Sequence, residues 1–194
     1  TQRSTLFPYT TLFRSEIALV RRVLRPGDTA VDIGAHKGAF TYWMRKSVGP
    51  TGRVIAVEPQ PRLAERLQHV VRARGWSNVR VEACGLSRAP GQLELWVPDG
   101  GAPSPGASVE PGLARAGSVP VRVEVRTLDQ LVAPGSPVRL VKCDVEGHEL
   151  AVFQGGQRVL SEARPVLLFE CEARHHVGSR IEEVFAHLEG LGMR

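Results

Sequence analysis

Hydrophobic residues follow two alternating patterns along the chain from residue 16 onward. Short apolar runs alternate with segments whose apolar residues recur every three or four positions. In residues 61–75, for example, the leucines and valines share one helical face, with Pro61 at the start and Gly75 at the end. The patterns predict strands over 29–34, 53–59, 78–84, 91–97, 119–128, 138–145 and 165–172, and helices over 16–24, 40–48, 61–75, 148–156, 157–163 and 179–191. Ser179 and Glu182 in the last helix have the spacing of a capping box.

This alternation of strands and helices predicts an α/β fold, with a mainly parallel sheet covered by helices on both faces. The segments 91–97 and 119–128 alternate with a period of two residues, which indicates an insertion containing a hairpin. Between them, residues 98–120 contain five prolines and five glycines. That composition predicts a flexible loop, which is either a lid or a disordered connection.

The two ends of the chain differ from its middle. Residues 5–15, "TLFPYTTLFRS", have no clear period and are similar to a translated sequencing-library adapter. We therefore predict a non-native segment over residues 1–15 rather than a genuine N-terminal arm. Residues 16–194 form the predicted domain, which we expect to be incomplete at its C-terminus because it stops directly after a helix.

Length, charge and cysteine content narrow the classes of protein. The 194 residues, 42% of them hydrophobic, suit one domain, and no apolar run is long enough to span a bilayer. The net charge of +5 comes from scattered arginines, so we predict no nucleic-acid partner. The three cysteines are far apart and form no CxxC motif, which favours a reducing, cytoplasmic setting without disulfides.

The first candidate site is "VDIGAHKGAF", residues 31–40, where a strand leads through Gly34 and Gly38 into a helix. Glycines there permit a tight turn and let a ligand approach the backbone N–H groups at the helix start. Glu58 ends the next strand, 20 residues after Gly38, where an acid commonly accepts hydrogen bonds from ribose hydroxyls. The pattern indicates a nucleoside-binding turn.

The spacing of these glycines favours one kind of nucleoside. A GxGxxG turn would suit a diphosphate, whereas this chain has GxxxG preceded by Asp32, which favours a cationic ligand without phosphate. S-adenosylmethionine has a ribose, an ammonium group, a sulfonium group and no phosphate. Two alternatives stay open. An NAD(P)-linked oxidoreductase would require a GxGxxG turn, whose third glycine this chain lacks, and the other alternative is an inactive nucleotide-binding fragment.

The second candidate site is "VKCDVEGHE", residues 141–149, where Asp144 ends a strand at the edge that binds ligands in open α/β sheets. Glu146, His148 and Glu149 follow, and acids also suit the first turn of a helix. A metal site formed by Asp144, Glu146 and His148 is an alternative that their spacing does not establish, and we predict no metal. If a hydroxyl is the acceptor, Asp144 or His148 is the candidate base. His175 and His176 either border the acceptor pocket or are solvated.

The motifs "VDIGAHKGAFT", "VIAVEPQP", "TLDQL" and "VKCDVEGHELAVFQGG" together resemble the FkbM family of S-adenosylmethionine-dependent methyltransferases, over roughly residues 28–192. The resemblance implies the Rossmann-like class I methyltransferase fold, whose final antiparallel strands we expect to be missing here. It also implies O-methylation of a hydroxyl on a small molecule or glycan. His36 stands where the family often has Asn.

The resemblance further implies a role for each matching position. The methionine end of S-adenosyl-L-methionine would be lined by Asp32, Gly34, Ala35 and Gly38. Glu58 would hold the ribose, and Ala83 and Cys84 would lie near the adenine. Asp144 would face the methyl group and the acceptor. The oligomeric state is left open.

Overall fold

In a computed structural model of the protein, residues 7–98, 106–170 and 181–193 are described, with side chains from residue 14 onward. The helices are α1 (Phe7–Val23), α2 (Ala39–Val48), α3 (Pro61–Ala73), α4 (Leu128–Leu131), α5 (Glu149–Gln154), α6 (Gln157–Ala163) and α7 (Ile181–Gly190). The strands are β1 (Thr29–Ile33), β2 (Arg53–Val57), β3 (Val79–Glu82), β4 (Gly85–Leu86), β5 (Gly91–Val97), β6 (Val119–Arg126), β7 (Val138–Cys143) and β8 (Val166–Phe169).

Five strands form the main sheet in the order β3-β2-β1-β7-β8, and every neighbouring pair is parallel. Because parallel strands end at the same edge, the segments that follow β1, β2 and β7 are brought together there. Asp32 of β1 lies beside Lys142 of β7 in the register of the sheet. The predicted α/β fold with a mainly parallel sheet is confirmed.

Helices cover both faces of this sheet, and the strands present alternate residues to each face. One face buries Val31, Ile55 and Val141 together with residues of α4 to α7. The opposite face buries Ala30 and Leu140 together with residues of α1, α2 and α3. Asp32 and Lys142 come two residues after Ala30 and Leu140 in their strands, so they point toward the same face, which α1 and α2 cover.

The insertion forms a second, three-stranded sheet in the order β4-β6-β5. Strands β5 and β6 are antiparallel, which agrees with their period of two, whereas β4 runs parallel to β6. The backbones of Trp96 and Ser108 exchange two hydrogen bonds of 2.8 and 3.2 Å. The described part of the proline- and glycine-rich connection is thus tied to β5, while the flexibility of residues 98–120 stays a prediction.

Two sequence-based boundaries differ from the structure. Helix α1 begins at Phe7, so the helix predicted over 16–24 is too short, and residues 7–15 are helical despite their irregular pattern. The apolar stripe that fixes this helix lies near its end, where Ile17 and Val20 are buried. The assignment of residues 1–15 as non-native stays a prediction.

The capping box predicted at Ser179 and Glu182 cannot be compared, because Ser179 lies outside the described residues. A capping box occurs at Thr127 and Gln130 of α4.

The described residues bear on the predictions about cysteines and about membrane spans. Cys84 and Cys143 are buried and carry free thiols, whereas Cys171 lies outside the described residues. Within the described ranges, no helix combines the length and apolar character that crossing a bilayer requires.

Candidate functional site

A cavity of about 460 Å³ opens at the edge where β1, β2 and β7 end. Its size falls within the range of roughly 300–1,000 Å³ that is typical of small-molecule sites. The wall opposite the main sheet comes from the second sheet and its connection, through residues such as Leu86, Leu95 and Val109. The insertion therefore closes one side of a cleft that the main sheet opens.

The turn after β1 brings the backbone close to the ligand-binding edge. Gly34 has a φ of 74°, and a side chain there would overlap the carbonyl oxygen of Asp144. The amides of Gly34 and Ala35 both donate to the carbonyl of Val57, each at 3.0 Å. Gly38, with a φ of 82°, precedes α2, and a side chain there would displace the end of the Leu67 side chain. Conformation thus favours glycine at both positions, and at Gly34 the backbone contact also leaves no space for a side chain.

Glu58 lies at the end of β2 with its side chain almost fully buried, and it lines the cavity. Its two carboxylate oxygens accept from the backbone amides of His36 at 2.7 Å and Gln60 at 2.9 Å. Burial raises the pKa of Glu58, against the opposing effect of these two hydrogen bonds. Since a carboxylate offers about four acceptor positions, the remaining ones are available to a ligand hydroxyl.

His36 is a further polar group on the cavity wall, in the left-handed conformation with a φ of 51°. Its Nε2 atom is buried and has no hydrogen-bond partner among the described residues. Burial, together with the positive charges of Lys37 and Lys142, lowers the pKa of His36. The side chain thus offers one polar atom to a bound molecule.

Three charged side chains, which we call the charged cluster, lie where β1 and β7 end: Asp32, Lys142 and Asp144. The Lys142 ammonium is 3.1 Å from Asp144 Oδ2 and 3.9 Å from Asp32 Oδ1, and it donates to the carbonyl of Gly34 at 3.2 Å. Asp32 is fully buried and accepts a hydrogen bond of 2.5 Å from the Thr41 hydroxyl. One buried cation thus lies between two carboxylates.

Burial and charge act in opposition on these groups. Burial raises the pKa of Asp32, while Lys142 and the Thr41 hydroxyl act to lower it. Burial alone would lower the pKa of Lys142, but the attraction of Asp32 and Asp144 outweighs it and the pKa is raised. Glu16 of α1 is close enough to be influenced by Lys142 and Asp144, although burial is the main cause of its raised pKa. With two carboxylates to one ammonium, the charged cluster favours a cationic ligand.

A second arrangement, which we call the His148 relay, joins Ser87, His148 and Glu110. His148 Nδ1 is 2.7 Å from Glu110 Oε1, and its Nε2 is 3.0 Å from Ser87 Oγ. Because an ionised carboxylate only accepts hydrogen bonds, Glu110 places the proton on Nδ1. In this tautomer Nε2 carries the lone pair and accepts from the Ser87 hydroxyl. The Ser108 hydroxyl donates to the Glu146 carbonyl at 2.7 Å and fastens the connection to this turn.

The structure brings most of the predicted site residues together. The cavity is lined by Gly34, Ala35, Glu58, Asp144 and His148.

Four predicted positions lie elsewhere. Asp32 is buried behind the wall, and Gly38 caps α2 instead of lining the cavity. Ala83 is exposed and Cys84 is buried, and burial with the nearby charge of Glu82 raises the pKa of that thiol to about 11. The chain turns into β4 directly after β3, so Gly85 and Leu86 face the cavity in place of these two residues.

Two residues of the alternative metal site, Asp144 and His148, are hydrogen-bonded to other side chains. Asp144 is paired with Lys142, while His148 is bonded to Glu110 and Ser87. Among the described side chains, no group of three or more His, Cys, Asp or Glu residues is arranged to hold a metal ion. His175 and His176 lie outside the described residues.

Sequence reasoning missed Lys142, Glu110, Ser87 and Gln60. The alternation of β7 could have indicated Lys142, because its even position places it on the same face as Asp32. Glu110 and Ser87 gave no signal, since they reach His148 from positions 38 and 61 residues away in sequence.

Similarity to curated proteins is confined to a short segment. The chain is 40% identical over 58 residues to a protein-L-isoaspartate O-methyltransferase from Ignicoccus hospitalis, which covers 30% of this chain and 28% of that protein. It is 38% identical over 58 residues to protein-L-isoaspartate O-methyltransferase 2 from Archaeoglobus fulgidus, covering 30% and 26%. The matched segment thus spans less than a third of either relative.

Similarity to solved structures extends over nearly the whole chain. The crystal structure of the methyltransferase FkbM from Methylobacillus flagellatus aligns with a TM-score of 0.61 and 19% identity, over 91% of this chain and 44% of that one. A SAM-dependent O-methyltransferase from Thermotoga maritima aligns with a TM-score of 0.51 and 15% identity, over 97% and 52%. This chain therefore spans about half the length of these proteins, and it has their class I methyltransferase fold.

The family assignment comes from a match along most of the sequence. Residues 32–194 match the family described as "Methyltransferase FkbM domain", and they include the turn after β1, Glu58, the charged cluster and His148. The match confirms the resemblance drawn from the motifs and does not support the NAD(P)-linked alternative. The chain belongs to the FkbM family of methyltransferases, whose cofactor is S-adenosyl-L-methionine.

Proposed function

We propose that this chain binds S-adenosyl-L-methionine in the cavity and transfers its methyl group to a hydroxyl oxygen of a small molecule or glycan. The observation that carries the proposal is the placement of Glu58 on the cavity wall beside the Gly34 turn. This pair of features gives a ribose acceptor next to a backbone that a ligand can approach closely.

The cavity also fits the charge of the cofactor. S-adenosyl-L-methionine carries one more positive charge than its product, and the charged cluster has two carboxylates against one ammonium. His36 Nε2, which has no partner among the described residues, adds a polar atom to the same wall. The donor set therefore suits a cationic nucleoside better than a diphosphate.

When bound, the cofactor supplies an electrophilic methyl group and a sulfur leaving group. The chain then has to orient the acceptor oxygen in line with that methyl group, an effect worth roughly 7–11 kcal/mol in favourable cases. It also has to accept the hydroxyl proton as the new bond forms. His148, which lines the cavity, is the group we assign to this proton; the acceptor hydroxyl would take the place of the Ser87 hydroxyl at the Nε2 lone pair.

A hydroxyl acceptor makes better use of this arrangement than a carboxylate does. A carboxylate acceptor, as the names of the isoaspartate methyltransferase relatives indicate for those proteins, has no proton to lose. The His148 relay would then have no role in the transfer. The presence of His148 on the cavity wall therefore favours a hydroxyl acceptor.

The first test is ligand binding to the purified chain by isothermal titration calorimetry, with S-adenosylhomocysteine, S-adenosylmethionine and NADH. We expect both sulfur nucleosides to bind, and we expect Glu58→Ala to weaken them while the exposed Glu65→Ala does not. Binding of NADH alone would overturn the proposal. Binding of none of the three would favour the inactive fragment.

The second test is a screen for S-adenosylhomocysteine release with sugars, glycans and small hydroxylated compounds, and with carboxylic acids as a separate arm. Turnover confined to the hydroxyl arm supports the proposed acceptor class. Turnover confined to the carboxylic-acid arm contradicts it and leaves the cofactor assignment in place.

A further inference from the structure

Lys142 is a buried cation that the proposed reaction does not use. It lies next to the end of β7, its side chain is 8% exposed, and its neighbours across the sheet are Asp32 of β1 and Leu168 of β8. The ring of Phe40 in α2 covers the ammonium, with 5.1 Å to its centroid. A lysine is rarely buried without specific partners, so these contacts define what it does.

The ammonium contacts three different parts of the cofactor site. It donates to the carbonyl of Gly34 at 3.2 Å, which is within the turn after β1, and to Asp144 Oδ2 at 3.1 Å on the cavity wall. It is also the nearby cation for Asp32 Oδ1, an atom that is buried and has no hydrogen-bond partner among the described residues. Lys142 therefore links the turn, the wall and the interior of β1.

The two carboxylates differ in what they need from Lys142. Asp32 is wholly buried, so its charge depends on this ammonium and on the Thr41 hydroxyl. The Asp144 side chain is 40% exposed, so water can stabilise its charge, and Lys142 mainly restricts where the carboxylate points. One contact thus concerns stability and the other concerns the geometry of the cavity wall.

Resting on the proposed function, we infer that Lys142 is a positioning residue for cofactor binding, which holds the Asp144 carboxylate and the Gly34 turn in place against the cavity. Its pairing with Asp32 is a separate, structural role. The two roles can be divided experimentally, because each involves a different carboxylate.

The experiment measures S-adenosylhomocysteine affinity by calorimetry and thermal stability without ligand, for the wild type, Lys142→Met, Asp144→Asn and the Lys142→Met/Asp144→Asn double variant. We expect each single change to weaken binding by roughly tenfold, which lies within the couplings found between contacting side chains. The affinity of the double variant should be no lower than that of the single variant with the lower affinity, because both changes remove the same contact. Lys46→Met, at an exposed lysine stacked on Tyr42, is the matched control and should bind as the wild type does.

Lys142→Met leaves Asp32 buried without its cation, which is strongly destabilising, so Asp32→Asn/Lys142→Met provides the second measurement. Replacing both members of a buried pair is far less destabilising than removing one. We expect this variant to recover thermal stability relative to Lys142→Met. It should keep the tenfold loss of affinity, because the contact between residue 142 and the Asp144 carboxylate is still absent.

The outcomes separate the inference from the proposed function. Wild-type protein that does not bind S-adenosylhomocysteine contradicts the proposed function. Wild-type binding together with unchanged affinity in Asp32→Asn/Lys142→Met overturns the inference alone, as do losses that multiply fully in the Lys142→Met/Asp144→Asn variant.

Discussion

The charged cluster and the His148 relay reach the same cavity, through Lys142 and Asp144 and through His148, but they are built in different ways. Asp32, Lys142 and Asp144 come from two neighbouring strands of one sheet, and the register of β1 and β7 alone brings Asp32 beside Lys142. The relay gathers Ser87, Glu110 and His148 from three segments that share no strand pairing with one another. The first arrangement belongs to the sheet, and the second depends on the insertion.

The difference separates two tasks. Asp32 and Lys142 of the charged cluster are buried, and its two carboxylates outnumber its one ammonium, which suits a fixed field around a cationic ligand. The relay contains a histidine whose two ring nitrogens are hydrogen-bonded to Glu110 and Ser87, which suits a proton that moves during a reaction. We therefore expect changes at the charged cluster to alter cofactor binding and changes at the relay to alter turnover.

The largest effect is expected from Gly34→Ala, which forces a side chain into the carbonyl of Asp144 at a positive φ. Strain and overpacking together should cost about 2–5 kcal/mol of unfolding free energy, measured by urea denaturation, and should remove detectable S-adenosylhomocysteine binding. Gly75→Ala is the matched control, because Gly75 has a φ of 60° but open space around it. It should cost only the conformational part, about 1–2 kcal/mol. Equal losses at the two positions would contradict the close contact at Gly34.

Next in size is His148→Ala, which removes the proposed base. With a hydroxyl acceptor we expect kcat to fall roughly 10²- to 10⁴-fold, the usual contribution of general base catalysis, while S-adenosylhomocysteine affinity stays unchanged. Glu110→Gln should lower kcat less, because the imidazole remains and only its tautomer is affected. His69→Ala, at an exposed histidine of α3, is the control and should keep full activity. A loss of cofactor affinity equal to the loss of kcat would remove the distinction between the two regions.

A smaller effect is expected from Glu58→Gln. The amide keeps one acceptor oxygen but replaces the other with a donor, so the bond to the His36 or Gln60 amide and one ligand contact are lost. Since hydrogen bonds to charged groups contribute about 1.5–3 kcal/mol, calorimetry should show S-adenosylhomocysteine affinity reduced roughly 10- to 150-fold. Glu65→Gln on the exposed face of α3 should bind normally. Unchanged affinity in Glu58→Gln would place the ribose elsewhere.

The smallest effect concerns pH and Glu149, which is buried beneath the His148 turn and accepts from the amides of Val145 and Gly147. Burial raises the pKa of Glu149 above its ordinary value in the folded state. The folded protein then holds its proton more tightly than the unfolded chain does, so this residue lowers stability as pH rises from about 4.5 through the raised pKa.

Glu149→Gln keeps the acceptor oxygen and removes the titration, so its unfolding free energy should fall less over that pH interval than that of the wild type. Denaturation curves at several pH values measure the slope. Glu162→Gln, at an exposed position of α6, is the control and should keep the wild-type slope. A Glu149→Gln slope identical to the wild type would contradict the burial effect.

Much of the fold could be predicted because local patterns and tertiary contacts agree there. The period of β1, β2 and β7 and the punctuation of α3 by Pro61 and its final glycine gave the right elements within a few residues. Residues 7–15 were the exception, since their irregular pattern predicted no element and they are helical in the structure. A helix that begins beyond its apolar stripe leaves little trace in hydrophobic periodicity.

The predicted site residues that line the cavity are the ones that come after a strand end. Gly34, Ala35, Glu58 and Asp144 follow strands directly, His148 lies in the turn after β7, and strand ends meet at one edge in a parallel sheet. Ala83 and Cys84 do not line the cavity, because β4 turns the chain so that Gly85 and Leu86 face it instead. The roles of these residues stay predictions.

The sequence by itself determined the alternation of strands and helices, the glycine turn and the acidic residue at the end of β2, because each follows from local conformation and spacing. Only the tertiary structure decided that Lys142 lies between Asp32 and Asp144, and that Ser87 and Glu110 reach the two nitrogens of His148. These contacts depend on how strands align and where an insertion packs. Many sequence positions contribute weakly to that alignment, and no single motif encodes it.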